Sequence, residues 1–362
     1  MKKIKHLVSR SKARATALVK RTPKEPVAFP KITSETIAEQ REQVLSGARK
    51  YIYPLQHSKH RIVLVSSAIF IGSILSFIIF CVVSLYKLQS TNTFVYRITQ
   101  VLPFPVARQS KNFVSYENYL FELRHYMHYY ENQQKLSFDS ESGKQQLQSY
   151  KQRALDKVVA DMITKQVAAD KGVSVSDQDV NNQIELARSQ NRLGGSEKVF
   201  EDVLRDYWGW TVDDYKRSLR GELLEQRVAA KVDEDSAKRA ADLSAQLRSG
   251  IDFKALVLSS SSDEATKQSG GELGLVAKSD RDMSPQSIEA LYKLAAGGVS
   301  EPILVSYRGG FAYEIVKNIE IQGDKIKAAH IIIPIRDFNE FLNDYKANHP
   351  VRQYIRIPTA PR

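Results

Sequence analysis

The 362-residue chain is poor in the residues that build covalent or metal-held sites, with one cysteine, two tryptophans and four methionines. Its cysteine, Cys81, falls inside an apolar run, which excludes an intramolecular disulfide and a cysteine-based zinc or iron–sulfur site. An acidic excess is also missing, since 53 Lys+Arg stand against 41 Asp+Glu for a formal charge of +12. What is present is apolar material, 42% against 26% charged. That is enough to bury the cores of about two domains at roughly 150 residues each, and it excludes both a small single module and a fully disordered chain.

The positive charge is concentrated. Residues 1–61 hold 15 Lys+Arg against Glu25, Glu35, Glu39 and Glu42, a balance of +11, and the other 38 basic and 37 acidic residues leave +1 for 62–362. The boundary is a charge-free run of 25 residues, Ile62 to Tyr86, bracketed by Arg61 and Lys87. At about 1.5 Å per helical residue it exceeds the ~30 Å hydrocarbon core, so the pattern predicts a single transmembrane helix over 62–86. A cleaved signal peptide would be shorter and nearer the N-terminus, and it would carry a small-residue cleavage site. Basic residues stay inside, which makes 1–61 a cytoplasmic tail and 88–362 extracytoplasmic in a single-pass cell-membrane protein. Contact of the tail with cytoplasmic membrane lipids is favoured, and nucleic acid is unlikely because no aromatic interleaving or folded nucleic-acid motif accompanies the charge.

Beyond the run, 86–100 reads as a polar juxtamembrane stretch, and Pro103 and Pro105 mark the entry to a mostly α domain over 104–235. Residues 131–150, rich in Gln and Ser, read as a long loop. Leu155, Val158, Val159, Met162, Ile163 and Val167 then fall on one helical stripe that Gly172 stops. Ser176 with Asp179 and Thr211 with Asp214 have the spacing of capping boxes that open two more helices. His125 and His128 are three apart on a helix, but no third metal ligand stands at useful spacing. Trp208 and Trp210 read as a buried helix junction in preference to an exposed aromatic binding patch.

Residues 151–232, with KQVAADKGVSVSDQDVNNQIELARSQN and VFEDVLRDYWGWTVDDYKRSLRGELLEQRV, resemble the helical N-terminal domain of SurA- and PrsA-type foldases. Residues 236–318 are similar to the parvulin (PpiC) pattern. IDFKALVLSSSSDEATKQSGGELG carries the Asp-Phe helix, the Ser/Asp loop and the Gly-Gly-x-Leu-Gly turn, DMSPQSIEALYKLAAGGVSEPI carries the Pro-led helix, and FAYEIVKN the closing strand. The opening strand of that pattern is missing before Ser236. KIKAAHIII at 325–333 has the right residues but follows the last strand across Gln322-Gly323-Asp324. The resemblance therefore implies a circular permutant, a parvulin-like domain over 236–335 whose opening strand is supplied by 325–335. Residues 336–362, with Pro350, Pro358 and Pro361, would be a tail lying on the domain or disordered beyond it. The expected fold class is α+β, a mostly α SurA-like domain followed by a small antiparallel sheet flanked by helices.

The resemblance also implies a peptidyl-prolyl cis–trans isomerase that assists folding of unfolded or nascent exported polypeptides. Rotating an X–Pro bond breaks no covalent bond, so no cofactor and no metal are expected. Carried over position by position, His330 and Asp263 match catalytic positions, and Leu273, Met283 and Phe311 match or face the proline pocket. Two positions depart. Ser287 stands where a pocket phenylalanine is expected, at a loss of ~1.5–3 kcal/mol of apolar burial, and Glu314 stands where a second histidine is expected. These departures support an alternative, a tethered non-catalytic holdase with a degenerate parvulin domain.

Overall fold

The computed structural model describes residues 33–52, 55–194 and 196–358, so most of the expected basic tail lies outside the described residues. The chain divides into two compact units, residues 1–78 and 79–362. The first holds α1 (Ser34–Ile52) and most of α2 (Leu55–Val82). One segment among the described residues, Arg61–Lys87, is long and apolar enough to cross a membrane, and residues 61–80 are exposed throughout. The run does not stay exposed to its end, because Cys81, Ser84 and Leu85 are buried in the second unit around a π-helical turn, Val83–Lys87.

The stretch expected to be a polar juxtamembrane segment contains α3 (Thr93–Val101), capped by the Asn92 side chain on the Phe94 N–H, with Val95 and Thr99 buried. Strands β1 (Pro105–Gln109) and β2 (Asn112–Ser115) lead into α4 (Tyr116–Asn132) and α5 (Glu141–Lys171). The expected loop over 131–150 is thus short. Its second half is the polar start of α5, where Ser140 caps the Gly143 N–H, a signal that the Gln-rich composition masked. Both capping boxes form, opening α6 (Asp177–Ser189) and α8 (Val212–Val232), with α7 (Glu197–Trp208) between them.

Next come α9 (Glu234–Arg248), α10 (Phe253–Ser260), the short α11 (Glu264–Lys267), β3 (Glu272–Ala277), α12 (Pro285–Lys293), β4 (Ile303–Tyr307), β5 (Gly310–Gln322) and β6 (Lys325–Pro334). The four strands form one antiparallel sheet in the order β3-β6-β5-β4, which places β6 between its neighbours. Strand alternation splits β5 and β6 between two faces. Ile315, Ala329, Ile331 and Ile333 pack with Leu243, Phe253 and Val257 of α9 and α10, and Val316 and Ala328 pack with Ile288 and Leu291 of α12.

The final segment is not a tail. It forms α13 (Phe338–Asn348) and β7 (Arg352–Gln353), and β7 pairs with β1 on the side opposite β2. Ile335, Phe338, Leu342 and Ile355 lie in the same core as Val106, Tyr116, Leu120 and Leu155. The physical reason is the apolar stripe Phe338, Phe341 and Leu342, which is buried on the helical core instead of being left in solvent.

Candidate functional site

The sheet face toward α12 carries a connected line of polar side chains. Val316 pairs with His330 and Glu314 with Ile332, so Glu314 and His330 project from neighbouring strands on one face. The His330 Nδ1 lies 2.6 Å from Glu314 Oε1 and its Nε2 lies 3.2 Å from Asp263 Oδ2. Both ring nitrogens face carboxylates, an arrangement that fits the doubly protonated imidazolium. Burial opposes that charge, but the hydrogen bond and charge of Glu314, followed by those of Asp263, raise the His330 pKa above its ordinary value.

Asp263 is held from three further sides. Thr266 donates to its Oδ2 at 2.6 Å, and the Tyr307 hydroxyl and the Arg308 guanidinium reach its Oδ1 at 3.1 and 3.2 Å. Burial pushes this carboxyl up, and the bonds from Thr266, His330 and Tyr307 outweigh it and hold it below its usual range. Arg308 reaches this position from the β4–β5 hairpin, where Arg308 and Gly309 both have positive φ as a two-residue turn of type I′ requires. At the other end, Ser287 donates to Glu314 Oε2, and the Ser284 and Ser287 hydroxyls are 2.7 Å apart. A line of hydrogen bonds thus runs from Ser284 through Ser287, Glu314, His330 and Asp263 to Arg308.

His330 and Asp263 therefore meet, and Leu273 and Met283 lie together in the apolar cluster under α12. The structure places the other two expected substrate contacts, Phe311 and Ser287, differently. Phe311 is three residues from Glu314 on one strand, so alternation turns it to the opposite face, where it packs against the helical domain's core. Ser287 is fully buried and binds Glu314, leaving it no surface to offer a substrate. The role of Glu314 is not legible from position-by-position matching, because its value depends on Ser287 and His330 being its neighbours in space.

One cleft adjoins this arrangement at Ser284, and a second lies in the helical domain. The first, of about 330 Å³, lies between the helical domain and Met283, Ser284, Pro285 and Val305. The loop on its rotamase side is clamped by Arg192, which donates to the Asp280 and Met283 carbonyls, and by Gln190, which donates to the Pro285 carbonyl at 2.7 Å. The other, of about 910 Å³, lies wholly within the helical domain. On its wall Trp210 stacks on Phe121 and on His125, with centroids at 5.7 and 4.3 Å. Trp210 is thus both a junction residue and a cleft residue. Among the described residues, His125 is in no group of three or more His, Cys, Asp or Glu side chains placed to hold a metal ion.

Residues 56–229 match the SurA-like N-terminal domain and residues 223–320 the PPIC-type PPIase domain. Among curated proteins the chain is 29% identical over 195 residues to the foldase protein PrsA of Caldanaerobacter subterraneus, covering 49% of this chain and 59% of that protein. It is 33% identical over 120 residues to the foldase protein PrsA of Geobacillus kaustophilus, covering 33% and 36%. A crystal structure of the peptidylprolyl isomerase PrsA from Bacillus anthracis matches at 23% identity and a TM-score of 0.19, over 52% of this chain and 86% of that one. The chain spans about 59% of the length of the first of these relatives. The chain thus joins a SurA-like N-terminal domain to a rotamase domain of the PPIC, or parvulin, type and is a relative of the PrsA foldases.

Proposed function

We propose that this protein is a membrane-anchored extracytoplasmic foldase, a peptidyl-prolyl cis–trans isomerase acting on unfolded exported polypeptides. The observation that carries the reading is the juxtaposition, in a PPIC-type domain, of Leu273 and Met283 with the buried Asp263–His330–Glu314 network. Leu273 and Met283 supply the apolar grip on a proline ring. The network supplies fixed charges and dipoles in a largely dry surrounding that can favour the twisted amide. That β6 lies between β3 and β5, the strand that closes the family pattern, supports the reading that this strand fills the opening position of a permuted domain.

Membrane anchoring rests on the exposed apolar helix. Residues 62–80 would span about 28 Å at the helical rise, close to the hydrocarbon thickness, before Cys81 enters the folded unit. The basic segment preceding it puts the N-terminus on the cytoplasmic side and the two domains outside.

A second reading, a tethered holdase with an inactive rotamase domain, is favoured by one observation. Ser287 replaces apolar pocket surface and is fully buried. The rate of proline isomerisation in a short peptide, measured with the full chain in detergent beside Leu273→Ala and Met283→Ala, separates the two. Acceleration that drops about tenfold in either variant supports the isomerase. A folded chain that accelerates nothing yet suppresses aggregation of an unfolded protein would establish the holdase.

A further inference from the structure

Helix α3 is short, yet it carries apolar side chains in two directions. Val95 and Thr99 are buried against the helical domain. Phe94, Ile98 and Val101 form a second stripe at the i, i+4 and i+7 spacing of one helix face. Of these, Phe94 is 60% and Val101 80% exposed, with Ile98 half-buried between them. Leu88 just before the helix and Leu102 just after it are exposed as well. Apolar side chains gathered in one stripe and left uncovered by the fold mark a surface that something else covers. The cations Lys87 and Arg97 are exposed beside it.

The stripe begins where the apolar run enters the folded unit. The rings of Phe80 and Phe94 lie 6.5 Å apart between centroids, and Phe80 is itself exposed at the end of the stretch whose helical length matches the hydrocarbon thickness. No free linker follows that point. Cys81 and Leu85 are buried, the Tyr116 hydroxyl donates to the Leu85 carbonyl at 2.5 Å, and the Tyr86 hydroxyl donates to the Pro105 carbonyl at 2.7 Å. The connection into α3 is pinned too, since Gln89 donates to the Arg356 carbonyl and Arg124 to the Thr91 carbonyl, both at 2.8 Å. A folded unit fixed this closely to the end of a spanning helix cannot lift the start of α3 away from the bilayer surface.

We propose that α3 is an interfacial helix that seats the folded unit on the outer leaflet of the bilayer, with Phe94, Ile98 and Val101 at the acyl-chain boundary and Lys87 and Arg97 among the lipid phosphates. Lipid is the occupant because the stripe continues from Phe80 at the end of the apolar helix and is flanked by cations, the pattern of a helix lying in a membrane surface. This rests on the membrane-anchored reading and adds a fixed posture to it. The domains sit on the membrane instead of swinging from a tether.

The full chain in vesicles of phosphatidylcholine and phosphatidylglycerol tests this through a fluorophore on Val101→Cys. Val101 is 80% exposed, so the change leaves the core alone, and the buried Cys81 does not compete for the label. A second chain labelled at Ser73→Cys, within α2, reads anchoring by itself. Lipids carrying a nitroxide in the acyl chain are expected to quench the label at 73, and lipids carrying it on the headgroup the label at 101. Adding Phe94→Asp to the Val101→Cys chain is expected to make the label at 101 about threefold more accessible to aqueous iodide. Quenching at 73 without quenching at 101 would overturn the seat on the membrane and leave the anchor standing, whereas quenching at neither would overturn both. A label at 101 that is shielded from iodide but not quenched by lipid would also overturn the proposal, by showing that a second copy or a bound polypeptide covers the stripe.

Discussion

His330 is buried with a carboxylate at each ring nitrogen, and that single placement sets the most direct prediction. A histidine whose pKa is raised by folding contributes stability that is complete below its unfolded value and is lost as pH rises through the folded one. Glu314→Gln keeps the shape and removes the charge that contributes most to the raised value. It should destabilise the protein by ~3 kcal/mol near pH 6, as expected for breaking a buried ion pair. The gap to the parent should narrow as pH rises through the His330 value. Melting temperatures from pH 5 to 9 decide this, and parallel curves for parent and variant would show that His330 is not charged. Ser287→Ala leaves Glu314 Oε2 without its donor and should cost about 1–3 kcal/mol, with the pH trend retained. At this scale the sequence revealed His330 and Asp263, because each falls on a motif position. It did not reveal that Ser287 and Glu314 compensate one another, because 27 residues separate them and the contact exists only once α12 lies on β5.

Among the elements, β6 carries the most information about the site, since it supplies His330 and lies between β3 and β5. Its far edge is not covered by a strand from His330 onward. The segment between α10 and β3 takes over, with the His330 N–H donating to the Gly271 carbonyl at 2.9 Å and the Ser262 N–H to the Ile332 carbonyl at 2.9 Å. This close approach explains the second glycine of the Gly-Gly turn. Gly271 has φ +79°, and a Cβ there would lie 2.3 Å from the His330 carbonyl oxygen, a backbone atom that cannot swing away. Gly271→Ala should therefore lower stability by more than the ~1 kcal/mol of an ordinary positive-φ substitution and should expose the His330 amide to solvent exchange. A melting temperature within a degree of the parent would refute this account. The strand itself was legible from its apolar run, and the capping boxes gave α6 and α8. Phe311 shows where such reading stops, since one motif names a strand but alternation decides which of its residues face the site.

At the level of the whole molecule, the rotamase domain is an insertion in the helical one. The chain leaves the helical core after α8, builds the four-stranded sheet and returns through Ile335, Phe338, Leu342 and Ile355 to the same core. Nothing local announces this return, because residues 336–362 with their three prolines read as a tail, and only the distant partners Val106 and Tyr116 explain the apolar stripe. Insertion means that both junctions of the domain are anchored, one at α8 and one at Ile335, which holds the Met283 loop against α6 more firmly than a single linker could. The four returning side chains bury on the order of 1.5–3 kcal/mol each, a sum comparable to the ~5–15 kcal/mol that holds a typical domain together. Ending the chain at residue 334 should therefore unfold the helical domain. Hydrogen exchange measures this directly, with amides of α4 and α5 expected to lose most of their protection in the truncated chain while those of β5 and β6 keep theirs. If α4 and α5 stay as protected as in the full chain, the C-terminal segment is an appendage after all, and the two junctions of the rotamase domain are not equivalent.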